Sequence, residues 1–142
     1  MLKAKVSVKE NPTWQKETLE KLERVLFKTV LKMEELAVRN APVDQGELKQ
    51  KIHVVPMELS LRYELRADAK HSASIEYGTR PFYAPIDPLK DWAQRKLGNE
   101  NIGYAVRAKI AKYGITAQPF MRPAKETALG YWFNHYKELE FN

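Results

Sequence analysis

Apolar side chains recur along the chain at two different intervals, and the change of interval predicts where helices give way to strands. From Asn11-Pro12 onward, Leu19, Leu22, Leu26, Val30, Met33 and Leu36 follow one another at three or four residues. That spacing lays a single stripe along a helix, with charged positions Glu17, Lys21, Glu20 and Arg24 paired on its outer side. Asn and Pro are suited to the cap and first turn, so the helix is expected over residues 12–39, roughly 40 Å at 1.5 Å per residue. Asn40-Ala41-Pro42 ends it. Farther on, Leu59, Leu61, Tyr63, Leu65 and Ala67 alternate with Ser60, Arg62, Glu64 and Arg66, the period of a strand with one buried face. Residues 52–57, closing at Pro56, are its expected hairpin partner.

Helical periodicity returns in the second half. Asp87-Pro88 reads as a helix start, Leu89, Trp92, Ala93 and Leu97 as its apolar side, and Gly98 as its end. A further helix carries Ile102, Val106, Ile110 and Tyr113 and closes at Gly114, with Lys109 and Lys112 in its last turn. Pro123 opens a closing helix bearing Ala128, Leu129, Trp132, Phe133, Tyr136 and Leu139. Residues 1–9 suit a short strand or a loose arm. The whole predicts an α+β fold: a small, mainly antiparallel sheet packed by the long N-terminal helix and the C-terminal helix, with a helical insertion over 81–117. A length of 142 residues suits one domain, with no repeat or linker.

Between strand and insertion lies "SIEYGTRPFYAP", residues 74–85, in which an acid, a glycine, an arginine, two prolines and three rings crowd together. Gly78 reads as a turn needing positive φ or as a tight backbone approach, and Glu76 either as a buried acid with a raised pKa or, the commoner arrangement, as the ion-pair partner of Arg80 that fixes the loop. Earlier, "DQGE", residues 44–47, has the spacing of a capping box, Asp44 on an exposed amide and Glu47 reaching back, ahead of a turn carrying Leu48 and Ile52.

Candidate chemistry changes this picture little. The absence of cysteine excludes disulfides and thiolate metal sites, and no apolar run is long enough for a membrane span or signal segment, so a cytoplasmic birthplace is expected. Asp44, Glu47, His53, Asp68, His71 and Glu76 are the residues from which a metal-dependent hydrolase would have to be built, yet they sit in no catalytic pattern, and no cofactor motif is present. Net charge is +6. Residues 1–40 hold 9 cations against 6 anions and residues 81–117 hold 6 against 3, as counted along the chain. Arg95, Lys96, Arg107, Lys109 and Lys112 are accordingly the candidate DNA-facing residues of a basic nucleic-acid-binding alternative, although the cations of the second insertion helix flank both edges of its apolar stripe. Arg80, Phe82, Tyr83 and Trp92 are the candidate protein-interface anchors.

Three blocks in order, "APVDQGELKQKI" (41–52), "IEYGT" (75–79) and "PFMRPA" (119–124), together with the helix ahead of them, resemble the neck or tail-completion proteins of tailed phages and prophages, the "gene product ten"-like minor tail family. The resemblance spans most of residues 13–137. Gln45 and Lys51 stand where that family usually has threonine and serine, and residues 81–117 are longer than its usual connection. The motif positions are Pro42, Asp44, Gly46, Leu48, Glu76, Tyr77, Gly78, Thr79, Pro119, Phe120, Arg122 and Pro123. The resemblance implies a non-enzymatic virion protein without cofactor. Its copies would form a ring at the head–tail junction, between a head-completion or connector protein and a tail terminator or tail tube protein, with genomic DNA in the lumen.

Overall fold

The computed structural model describes residues 12–57, 61–137 and 139, apart from the side chains of Pro12 and Trp14. The expected N-terminal strand or arm and position Leu59 lie outside them. Helix α1 runs Pro12–Asn40, one residue beyond the predicted end. It is followed by a single turn, α2 (Glu47–Gln50), and by an antiparallel hairpin of β1 (Ile52–Pro56) and β2 (Tyr63–Ala67), in which Ile52 faces Ala67 and Pro56 faces Tyr63. Helix α3 spans Ser72–Tyr77, α4 Ile86–Leu97, α5 Ile102–Tyr113 and α6 Met121–Tyr136. The fold is α+β, as the periodicities predict.

Helix α1 is the spine: both strands and α6 pack against it. Its last turns contribute Leu36 and Ala37 to a core completed by Ala41, Leu48, Ile52, Ala69, Phe120 and Ala124, with Leu65, Ala67 and Ile75 packed on the outside. The predicted stripe holds in its C-terminal part, where Val30 and Leu36 are buried, and fails at its start, where Leu19 is exposed. Helices α4 and α5 pack on one another as a separate hairpin. A Cβ on Gly103 would stand 2.9 Å from the Lys90 amide nitrogen, so the missing side chain is what lets the two axes approach.

Local corrections follow from polar accounting. Strand β2 begins at Tyr63, later than Leu61: Leu61 takes a left-handed φ of 62°, and the amide of Met57 donates to the carbonyl of Arg62 at 3.0 Å, so Leu61 and Arg62 belong to the reversal. Helix α4 starts at Ile86 with Pro85 at the cap position. Asp87 is therefore inside the first turn, and Pro88 falls among first-turn positions whose amides have no intrahelical partner. Likewise α6 begins two residues before Pro123. Its expected stripe is partly wrong, since Ala124 and Ala128 are buried while Leu129 and Phe133 are exposed, and on α5 Tyr113 is 65% exposed. On α6 the buried positions are thus the small ones, and on α5 they are Gly103 and Ile110.

Candidate functional site

Residues 74–85, expected as a loop or corner, begin inside a helix: 74–77 are the last four residues of α3, and the chain leaves it at Gly78. Ser72 starts the turn, its hydroxyl donating to the carbonyl of Ala67 at 2.9 Å and its amide to that of Ala69. One turn later the chain delivers Glu76 to the interior, 5% exposed. The carboxylate does not meet Arg80, which is exposed. Instead it sits on the N-terminus of α6: Oε2 accepts the amides of Phe120 at 2.8 Å and Met121 at 2.9 Å, and Oε1 accepts that of Arg122 at 3.0 Å. Phe120 is the cap residue of α6, so Pro123 occupies the third helical position, where it has no N–H to satisfy. Three amide bonds and one proline therefore settle all four donors that a helix start leaves unpaired.

Burial acts to raise the Glu76 carboxyl. The amides of Met121, Phe120 and Arg122, with the charge of Arg122, outweigh it and hold the group below the ordinary glutamate value. Glu76 is ionised at neutral pH with its acceptor capacity directed at backbone amides, which is the condition of a structural clamp. Beside it, the guanidinium of Arg122 lies 6.0 Å from the centre of the Tyr77 ring.

Immediately after Glu76 the chain is stitched to the segment that follows α5. The amide of Thr79 donates to the carbonyl of Ile115 at 3.0 Å, the amide of Ile115 to the Thr79 hydroxyl at 3.0 Å, and the amide of Gln118 to the carbonyl of Ile75 at 2.7 Å. Two glycines permit this. Gly78 has φ 72°, and a Cβ there would lie 2.6 Å from the carbonyl oxygen of Ile115; Gly114 has φ 75°, and a Cβ there would collide with the carbonyl oxygen of Thr79. Gly78 was legible from the sequence. Its partner Gly114 reads there only as a helix stop, and its second task appears once the chain ahead of α4 and the chain after α5 are seen to meet.

The capping box does not form. Gly46, with a left-handed φ of 85°, occupies the cap of α2, no side chain caps that turn, and Glu47 instead pairs with Lys51 at 2.6 Å. Because Gly46 turns the chain there, Asp44 faces α4, where Oδ2 takes the guanidinium of Arg95 at 2.8 Å and Oδ1 lies 3.7 Å from Nζ of Lys96. The five candidate DNA-facing cations thus fall into two groups. Arg95 and Lys96 are engaged within the chain, whereas Arg107, Lys109 and Lys112 take part in none of the ion pairs among the described residues.

The acids and histidines weighed for metal chemistry are spread apart. Asp44 belongs to Arg95, Glu76 to α6, and Asp68 to His53 across the hairpin at 3.4 Å. Among the described residues no three His, Asp or Glu side chains form a group that would hold a metal ion. Of the candidate interface residues, Tyr83 is 84% exposed, Phe82 and Arg80 are exposed, and Trp92 is half-buried. Pro42 is half-buried and Leu48 buried, with Pro119 exposed at the entrance to α6. Among the described residues no helix is long and apolar enough to cross a membrane. The chain matches no family model, no curated protein and no solved structure.

Proposed function

We propose that this protein is a structural virion component of the head–tail junction of a tailed phage or prophage, a neck or tail-completion subunit acting as a ring and without catalytic activity. One observation carries the reading. The three sequence blocks on which the family resemblance rests, separated by 22 and 39 residues in the chain, meet in one core: Ala41, Leu48 and Ile52 from the first, Ile75 from the second, Phe120 and Ala124 from the third. Glu76 then bonds the second block to the third through the amides of 120–122. Residues that recur together in a pattern because they hold a scaffold are expected to converge in this way, on backbone rather than on a pocket.

The partners under this reading are further copies of the chain, a head-completion or connector protein and a tail terminator or tail tube protein. Disrupting the gene and imaging the particles tests it: DNA-filled heads lying apart from finished tails are expected, and normally joined particles would refute it.

A further inference from the structure

One side of α5 combines exposed rings with cations that join no ion pair among the described residues. Tyr83, Tyr104, Arg107, Ala108, Ala111 and Lys112 line one open concavity of about 540 Å³. Tyr104, Ala108 and Ala111 follow one another at helical spacing, so two methyl-sized residues form the floor, with Arg107 on one rim and Lys112 on the other. The cations are held beside rings: Arg107 lies 5.8 Å from the centre of Tyr104, and Lys112 5.0 Å from that of Tyr113. Tyr83 is 84% exposed, yet its backbone is constrained, being flanked by Pro81 and Pro85 and followed by buried Ala84, while the amide of Phe82 donates to the carbonyl of Ile110. The ring is thus presented to solvent on a stiff mount. No acidic residue occurs anywhere in residues 101–125, and none lines the concavity.

We infer that this face binds single-stranded nucleic acid, with bases stacking on Tyr83 and Tyr104 and phosphates paired with Arg107 and Lys112. Stacking platforms interleaved with cations over a shallow floor are what an unpaired strand requires, because every base offers a flat π face whatever its identity. A duplex keeps its bases stacked inside and would use only the cations. The inference is independent of the head–tail reading and stands or falls by its own measurement.

Fluorescence anisotropy of a labelled 12-nucleotide thymidine strand, with a labelled duplex of equal length in parallel, tests it on the full chain. The single strand should bind more tightly than the duplex, with log K falling with log salt at a slope of about −1.4 for two phosphate contacts. Tyr104→Ala and Tyr83→Ala should each weaken it about tenfold, at unchanged thermal unfolding. Lys21→Gln with Lys28→Gln, on α1, should leave binding intact. Equal affinity for both forms, or indifference to the tyrosines, would reduce the face to a general cationic attraction and overturn the inference. So would absence of binding at low salt, displacement of the strand by polyglutamate at equal charge concentration, or an equal loss from the α1 substitutions.

Discussion

Glu76 is a buried carboxylate whose hydrogen-bond partners are the three backbone amides at the start of α6. Arg80 lies four positions away and invites an ion pair, but a buried carboxylate gains more from three amides fixed by a helix than from an exposed guanidinium. The consequence is a definite pH dependence. Its folded pKa lies below its unfolded value of about 4.3, so its stabilisation is complete above that value and is lost as pH falls through the folded pKa. Glu76→Gln replaces one acceptor oxygen by an NH₂ that faces amide donors. At pH 7 this should cost about 3 kcal/mol, a drop in Tm of roughly 10 °C for a chain of this length. The difference between the variant and the parent should shrink as pH is lowered from 5 to 3. A pH-independent gap in chemical denaturation would show that the carboxylate's charge is not what holds α6.

At the scale of elements, the four longest helices and the hairpin were legible because apolar spacing reports directly on which side of an element is covered. What the spacing could not report was where backbone meets backbone. Helix α3 was missed because Ser72-Ala73-Ser74 has no periodicity to read and is organised by a hook onto the carbonyl of Ala67. The capping box was misread because Gly46, which sets the turn, sits between the two acids and redirects Asp44 toward a helix about fifty residues later. The crossing of Gly78 with Gly114 was invisible for the same reason, and it yields a prediction at this scale. Gly114→Ala places a methyl against the carbonyl of Thr79 at positive φ, and Gly78→Ala places one 2.6 Å from that of Ile115; each should cost about 3 kcal/mol through strain and a broken clasp. Gly130→Ala, on an open helical surface with nothing within 4 Å of the new carbon, should stabilise by about 0.5–1 kcal/mol. Urea midpoints of the three variants check the contrast, and equal losses at all three would contradict it.

Over the whole molecule the core is not shared evenly. Every buried member of the central cluster comes from residues 36–69 or 120–124, and the α4–α5 hairpin contributes none; its own buried residues are Ala93, Gly103 and Ile110, with Ala84 and Gly114 buried just before and after it. It is tied to the remainder by backbone bonds at the glycine crossing, by the bond from the Phe82 amide to the carbonyl of Ile110, and by the half-exposed pairing of Asp44 with Arg95 and Lys96. A unit with few apolar contacts to the rest should open on its own at a lower free energy than the scaffold. Native-state hydrogen exchange should therefore show α4 and α5 amides exchanging faster than those of β1 and the first half of α6, by way of a partial opening with weaker denaturant dependence than global unfolding. Asp44→Asn removes an exposed pair worth less than about 1 kcal/mol, so it should leave the global transition nearly unchanged while accelerating exchange in α4 and α5 alone. If all helices instead exchange at one common rate that follows the global stability, the hairpin is part of the same cooperative unit and the ion pairs are no hinge. The faster exchange would give the proposed junction subunit a rigid scaffold bearing a movable arm, with the tyrosine and cation face carried on that arm.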